Sequence, residues 1–166
     1  MKDVKGVDAV NARTSGINLR RATADDEAVL TALSVRLTAC ELPVWRTAEG
    51  ISTADAREMM DAVRGTDPDN EVWIAERDGR AAGCVHVLAL TDFFGLRSAH
   101  ISVIATTIEA EGTGVGAALL AHAESWARQR RLTAMTLNVF ASNARARRFY
   151  ERGGWVPEML KYVKPL

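Results

Sequence analysis

A glycine-rich turn between a short apolar run and a long amphipathic segment constrains this chain more than any other feature. The apolar run covers residues 100–105, and the turn contains Gly112, Gly114 and Gly116. Alternate glycines let the backbone approach a ligand closely and orient several N–H groups in one direction. At the start of a helix, such a turn is suited to binding phosphate or pyrophosphate. A tight strand-to-helix turn without a ligand is the simpler alternative.

The segment after this turn predicts a helix over residues 113–130. Four apolar side chains recur there at helical spacing and define one face. They are Val115, Leu119, Ala123 and Trp126.

The remaining patterns predict one α/β domain over residues 17–166, preceded by a loose tail over residues 1–16. Thr23 and Asp26 have the spacing of a capping box before a first helix, and Ser52 is the expected cap of a second. Asp78-Gly79 is a strong hairpin turn. Alternating or apolar runs predict strands over residues 17–21, 71–76, 81–90, 100–105 and 136–139. A short helix is expected over residues 143–152, and a last strand or hairpin over residues 155–163.

Composition excludes several classes of protein. Lys plus Arg and Asp plus Glu number 21 each, so the chain lacks the field that attracts nucleic acid or an anionic membrane. Cys40 and Cys84 lie far apart, which argues against a disulfide framework, and the three histidines lack metal-ligand spacing. No apolar run approaches the ~20 residues that span a bilayer, and residues 1–16 lack the apolar core of a signal peptide. We therefore expect a cytoplasmic protein without a metal, a nucleic-acid partner or a membrane partner.

Two phosphate-binding motifs fit the glycine turn poorly. A P-loop requires Gly-Lys-Ser/Thr, whereas two alanines follow Gly116. The dinucleotide fingerprint matches at Gly112, Gly114 and Ala117, but the next strand offers Asn138 in place of the acidic residue that binds ribose. Too little chain follows to build further βαβ units. A nicotinamide-dependent oxidoreductase is therefore a distant alternative.

Two segments together resemble the GNAT superfamily of N-acetyltransferases. Residues 111–116, Glu-Gly-Thr-Gly-Val-Gly, are similar to the family signature Gln/Arg-x-x-Gly-x-Gly/Ala, with Glu111 in the position usually held by Gln or Arg. Residues 137–155 are similar to the family's strand-loop-helix run, with Asn143, Phe149-Tyr150 and Trp155 at the family's intervals. The two segments cover roughly the last 60 residues, with one helix and one strand between them.

The resemblance implies both a fold and a reaction. The fold is a GNAT-like acyl-CoA transferase fold, with a mixed, mostly antiparallel sheet and helices on both faces. The reaction moves the acetyl group of acetyl-CoA to a primary amine by direct attack in a ternary complex. The acceptor is a small-molecule or peptide amine, and a homodimer is compatible with the family. Because a carboxylate at Glu111 would repel pyrophosphate unless it points away, a non-catalytic acyl-CoA-binding or sensor module stays open as an alternative.

The same resemblance assigns the cofactor-binding residues. The backbone amides assigned to the CoA pyrophosphate are those of Gly112, Thr113, Gly114, Val115, Gly116 and Ala117. Asn143 is both a helix cap and a contact to the pantetheine arm. Arg148, among several arginines near it, is a candidate for the 3′-phosphate, although a solvated arginine is the simpler reading. Ala105 and Thr106 lie where two strands of the family separate and a backbone N–H polarises the thioester carbonyl.

Two side chains are candidates for proton transfer. Tyr150, whose phenol has a reference pKa near ~10, is the expected general acid for the departing thiolate. His100 is the candidate base, with Ser102 and Glu109 as lesser candidates and a water chain as the alternative. Acidic residues between the first two helices and along the second can attract a cationic amine. They are Glu41, Glu49 and Asp55.

Overall fold

The computed structural model describes residues 16–166, and its centre is a five-stranded mixed sheet. The strands are β1 (Ile17–Arg21), β2 (Asn70–Arg77), β3 (Arg80–Thr91), β4 (Arg97–Thr106) and β5 (Met135–Leu137). They lie in sequence order: β1 to β4 pair antiparallel, and β5 pairs parallel to β4. The predicted fold class, a mostly antiparallel mixed sheet in an α/β domain, is confirmed.

Within residues 16–166, four α-helices cover the two faces of the sheet. They are α1 (Glu27–Ser34), α2 (Ala48–Arg64), α3 (Val115–Gln129) and α4 (Ala144–Arg152). A 3₁₀ turn precedes α1, and another, Val35–Thr38, follows it. No helix in this part of the chain is long and apolar enough to cross a membrane.

Local sequence signals explain most of the element boundaries. Thr23 and Asp26 form the expected capping box. Asp78 and Gly79 have φ angles of 52° and 72°, as a two-residue hairpin turn requires. The expected cap at Ser52 is wrong, because α2 begins one turn earlier. Thr47 caps it by accepting a hydrogen bond from the Gly50 N–H, and Ser52 lies inside the helix.

The apolar faces of the helices build two cores, one on each side of the sheet. The predicted face of α3, with Val115, Leu119, Ala123 and Trp126, is buried against one side. Leu30 of α1 and Met59 of α2 belong to the core on the other side, together with other apolar residues of these helices and of the sheet. Deleting a fully buried side chain of this size typically costs about 2–5 kcal/mol.

Because β4 contains a β-bulge, residues two positions apart on this strand belong to different cores. His86 of β3 pairs with Val103, but its neighbour Val87 pairs with Ile101, so Ser102 has no partner in β3. The extra residue reverses the alternation of side chains. Ile101 therefore belongs to the α3 core, whereas Val103 belongs to the core under α1 and α2.

The C-terminal segment does not form the expected strand or hairpin over residues 155–163. Residues 155–166 have neither helix nor strand, and Val156, Leu160 and Tyr162 are exposed. Pro157 has no N–H for a strand ladder, and β5 offers an edge of three residues. The predicted tail over residues 1–16 falls, except for Gly16, outside the described residues.

Candidate active site

Strand β5 lies at one edge of the sheet and ends before its neighbour β4, which leaves an opening beside the last residues of β4. Their pairing ends where Ile101 meets Leu137, although β4 continues for five more residues to Thr106. Beyond that point the β5 side of β4 has no strand neighbour among the described residues. Ala105 and Thr106, expected at such an opening, lie on this unpaired stretch.

The glycine turn leads into α3 with unpaired amides. Gly112 and Gly114 have φ angles of 73° and 94°, which L side chains rarely adopt. The first helical hydrogen bond runs from the Ala118 N–H to the Gly114 carbonyl at 2.9 Å. Within residues 16–166, none of the N–H groups of residues 114–117 donates to a protein acceptor. Four donors and the positive end of the helix dipole therefore point out of this turn.

Thr113 differs from the other residues of the turn. Its N–H donates to the Ala110 carbonyl at 3.3 Å, and its hydroxyl donates to the same oxygen at 2.7 Å. Thr113 holds the turn in shape, and its amide is not among the unpaired donors.

Two arginines neutralise the carboxylate next to the glycine turn. Glu111 Oε1 accepts hydrogen bonds from Arg145 at 2.8 Å and from Arg36 at 2.7 Å. These contacts, the first being the larger influence, lower the pKa of Glu111 below its ordinary value. The Nε of Arg36 also donates to the Thr106 carbonyl at 3.4 Å. The three side chains together carry one net positive charge, so this corner favours an anion despite the carboxylate.

Helix α4 brings its N-terminus and its aromatic residues to the same corner. Asn143 Oδ1 accepts from the Ala146 N–H at 3.0 Å, so the predicted cap is confirmed. A Cβ added at Gly116 would lie 3.5 Å from Phe149 Cζ and 3.9 Å from Thr106 Cγ2. The start of α3, the end of β4 and α4 therefore converge, and a Cβ at Gly116 would make only ordinary van der Waals contacts there.

Tyr150 is half-buried at the edge of the α3 core. Its ring lies 5.4 Å from that of Phe149 and 5.9 Å from that of Trp155, measured between centroids. Burial raises the pKa of Tyr150 to about 12. The phenol therefore keeps its proton at neutral pH, as a proton donor must.

His100 lies with a different set of residues, on the side of the sheet that faces α2. Its Nδ1 is 2.8 Å from Thr136 Oγ1 of β5. Desolvation lowers the pKa of His100 below its ordinary value, and the nearby charge of Glu58 partly opposes this shift. Glu58 of α2 accepts hydrogen bonds from Ser102 at 3.0 and 3.1 Å, directly at the bulge. His100 is therefore neutral at pH 7 and able to accept a proton.

The arginines of the C-terminal half have different surroundings. Arg148 is exposed and within residues 16–166 makes no ion pair or side-chain hydrogen bond, whereas Arg145 pairs with Glu111. Arg130 is held by Asp69 and Glu71 and lies 3.9 Å from the centroid of the Trp126 ring. These contacts give Arg130 a structural role. The candidates for binding the 3′-phosphate are then the other arginines, such as Arg148.

The sequence model of the acetyltransferase (GNAT) family matches residues 36–155, more than half of the chain. The chain belongs to this family. The match includes the glycine turn, the opening between β4 and β5, and all of α4. Among curated protein sequences, none matches the chain.

Solved structures show the same GNAT fold at low sequence identity. One is a GCN5-related N-acetyltransferase from Ralstonia eutropha JMP134, at 17% identity and TM-score 0.66, covering 91% of this chain and 99% of that one. A ribosomal-protein-alanine N-acetyltransferase from Brucella melitensis biovar Abortus 2308 matches at 19%, TM-score 0.65, over 90% and 99%. An aminoglycoside N-acetyltransferase in complex with CoA matches at 15%, TM-score 0.67, over 90% and 94%. At these identities the likeness shows the fold alone.

Three features of this GNAT site have no clear signal in the sequence. Arg36 reaches Glu111 across 75 positions of the chain, and Glu58 reaches Ser102 across 44. The bulge at Ser102 changes which face the strand presents, and no glycine or proline marks it. The unusual Glu111 was the one hint, because a carboxylate at an anion site requires a cationic partner.

Proposed function

We propose that this GNAT protein transfers the acetyl group of acetyl-CoA to a primary amine by direct attack in a ternary complex. The observation that carries the proposal is the unpaired row of amides over residues 114–117, next to the opening between β4 and β5. The proposal is narrower than family membership, since a fold by itself does not establish an activity.

The residues at the opening fit acetyl-CoA. The amides of Gly114, Val115, Gly116 and Ala117, with that of Gly112, are donors for the pyrophosphate. The positive balance around Glu111 adds a favourable field for it. The side-chain amide of Asn143 retains an N–H₂ group for the pantetheine arm while its oxygen caps α4. Arg148, which has no ion pair within residues 16–166, is a donor for the 3′-phosphate, and Ala105 and Thr106 at the end of β4 would lie beside the thioester.

The reaction requires two proton movements. The neutral amine nitrogen attacks the carbonyl carbon, a C–N bond forms, and the C–S bond breaks. The nitrogen loses one proton, for which neutral His100 is the acceptor, directly or through water. The sulfur gains one, for which Tyr150 is the donor. Backbone N–H groups on the unpaired stretch of β4 stabilise the charge that develops on the carbonyl oxygen.

Direct attack is favoured because both cysteines lie outside the segments that carry the family resemblance, and Cys84 is a poor nucleophile. Cys84 is buried beside Met59, and desolvation raises its pKa to about 12. A buried thiol with that pKa supplies almost no thiolate at neutral pH. Both cysteines are free, in keeping with the cytoplasmic location predicted from the sequence. Dimerisation stays a prediction.

The sensor alternative loses its main support once the contacts of Glu111 are known. That alternative was kept open by the repulsion expected between Glu111 and pyrophosphate. The pairs with Arg36 and Arg145 remove the net negative charge from this corner.

Thermal unfolding with acetyl-CoA, NADH and ATP at equal excess tests the cofactor assignment. A ligand at 100 times its dissociation constant adds about 2.7 kcal/mol of stability, which moves the transition by several degrees. We expect a shift with acetyl-CoA, followed by release of free thiol when an amine is added. A shift only with NADH, or none with acetyl-CoA, would rule the proposal out. Binding without thiol release for any amine would support the sensor alternative.

A further inference from the structure

Within residues 16–166, none of the four carboxylates of α2 has a cationic partner, and two of them are close neighbours. Asp55 and Glu58 are three positions apart, so they share one side of the helix. Within residues 16–166, no arginine, lysine or histidine makes an ion pair with either side chain. The half-buried Asp55 contrasts with Asp26 and Glu111, which are each held by an arginine. A carboxylate that is partly removed from water without a partner is costly for a fold to keep.

Glu58, an exposed residue of α2, lies at the point where the sheet opens. Glu58 accepts both of its hydrogen bonds from Ser102, the bulged residue of β4. Ser102 follows Ile101, the last residue of β4 that pairs with β5. The carboxylate of Glu58 therefore lies beside the opening between β4 and β5, on the α2 side of the sheet.

A buried histidine near Glu58 has one ring nitrogen without a hydrogen-bond partner among residues 16–166. His86 is fully buried on the sheet face that packs against α2, and its Nε2 is 2.7 Å from Asn70 Oδ1. In the tautomer that donates from Nε2 to Asn70 Oδ1, Nδ1 presents a lone pair. Within residues 16–166 this Nδ1 has no hydrogen-bond partner. Desolvation lowers the pKa of His86, the charge of Glu58 opposes this shift and His100 adds to it, so the three groups lie within interaction range.

An orphaned buried acceptor of this kind is rare in folded proteins. Its presence beside unpaired carboxylates indicates that the site takes a ligand rich in N–H donors and in positive charge. An ammonium group has three donors, no acceptor and one positive charge. An anionic or neutral ligand would leave both carboxylates unpaired.

We propose that Asp55 and Glu58 bind the second ammonium group of a diamine or polyamine acceptor, whose first amine faces the acetyl group. The inference rests on the acetyl transfer proposed above and names its substrate class. Burial first, and then the charge of Glu58, raise the pKa of Asp55 to about 6. A bound cation would oppose these effects and favour the ionised form of Asp55.

Three amines of matched length test the substrate class. They are 1,4-diaminobutane, butylamine and 4-aminobutanoate, with a positive, an absent and a negative distal charge. We expect kcat/KM for thiol release from acetyl-CoA to fall in that order, with at least about tenfold between the diamine and butylamine. Equal values for the diamine and butylamine, or no acetylation of the diamine, would overturn the inference.

Substitutions on α2 test which side chains produce the preference for the diamine. Glu58→Gln and Asp55→Asn should each reduce the preference for the diamine, and the double variant should abolish it. Asp61→Asn, which removes one charge from an exposed position of the same helix, should keep the preference. If the double variant still prefers the diamine, the carboxylates do not bind it.

The thermal shift with acetyl-CoA separates this inference from the proposed function. A protein that binds acetyl-CoA and acetylates amines without regard to distal charge retains its function and refutes the substrate class. A protein that does not bind acetyl-CoA refutes the function itself. The shift in the double variant should equal that of the unaltered protein, which also shows that the variant is folded.

Discussion

Arg145 of α4 and Glu111 of the glycine turn form an ion pair of 2.8 Å. The pair links the two segments that carry the family resemblance, and Arg36 completes it from the other side. We expect Arg145→Ala to raise the dissociation constant for acetyl-CoA by about tenfold. The substitution removes one positive charge beside the amides that are proposed to bind the pyrophosphate. Isothermal titration or the thermal shift measures this change.

The same pair provides a double-mutant cycle. Adding Glu111→Gln to Arg145→Ala should recover most of the lost affinity, since the carboxylate that repels phosphate is then absent. If the double variant binds acetyl-CoA no better than Arg145→Ala, Glu111 does not act on the phosphate through its charge. Because the side chain of Arg145 is 69% exposed, little change in the free energy of unfolding is expected from either variant.

Tyr150→Phe should lower kcat while leaving acetyl-CoA binding unchanged. General acid catalysis typically contributes about 10²–10⁴-fold, and the substitution removes only the hydroxyl. Because the pKa of Tyr150 is raised to about 12, the unaltered enzyme should show no alkaline loss of activity from this group below about pH 11. Tyr162→Phe is the matched control, since Tyr162 is 88% exposed in the C-terminal segment. Equal loss in both variants would indicate a role unrelated to proton donation.

The pH dependence of kcat/KM should contain an acidic limb that belongs to His100. Its neutral form is active, so activity is present above its pKa and is lost as the pH falls through it. Because desolvation lowers that pKa, the midpoint should lie below about 6.5. Glu58→Gln removes a charge that raises the pKa of His100 and should move the midpoint to still lower pH. If the acidic limb persists in His100→Gln, it belongs to another group. The nearby His86 is then the first candidate.

The stability of the fold should depend on the ionisation of Asp26. Hydrogen bonds from Arg20 at 2.7 and 2.8 Å lower the pKa of Asp26 to about 2. A carboxyl whose pKa is lowered on folding stabilises the protein above its unfolded pKa, and this contribution is lost as the pH falls from about 4 to about 2. Asp26→Asn should cost about 2 kcal/mol at pH 7, measured by urea unfolding. Asp25→Asn, at the exposed neighbouring position, should cost much less.

The two cysteines should differ in reactivity. Cys84 is buried with its pKa raised to about 12, whereas Cys40 is partly exposed. A thiol reagent at pH 7.5 should label Cys40 alone in the folded protein, and both cysteines in denaturant. Loss of activity that follows labelling of Cys84 under native conditions would contradict direct attack.

Sequence reasoning succeeded where the signal is carried by neighbouring residues. The buried face of α3, the hairpin at Asp78-Gly79 and the capping box of Thr23 with Asp26 each depend on backbone geometry within a few positions. It failed at the cap of α2 and at the C-terminal segment. Two capping residues five positions apart compete at α2, and a last strand requires a neighbouring edge that its own residues do not reveal.

The same distinction between local and long-range signals applies to the residues of the candidate site. Sequence patterns alone predict the glycine turn, the cap at Asn143 and the position of Tyr150 on α4, because each follows from a motif of adjacent residues. The pairing of Arg36 and Arg145 with Glu111, and the contact of Ser102 with Glu58 at the bulge, become visible only in the folded domain. Those contacts join residues up to 75 positions apart. Their geometry depends on how α2, α4 and the sheet pack together, which is a property of the whole domain.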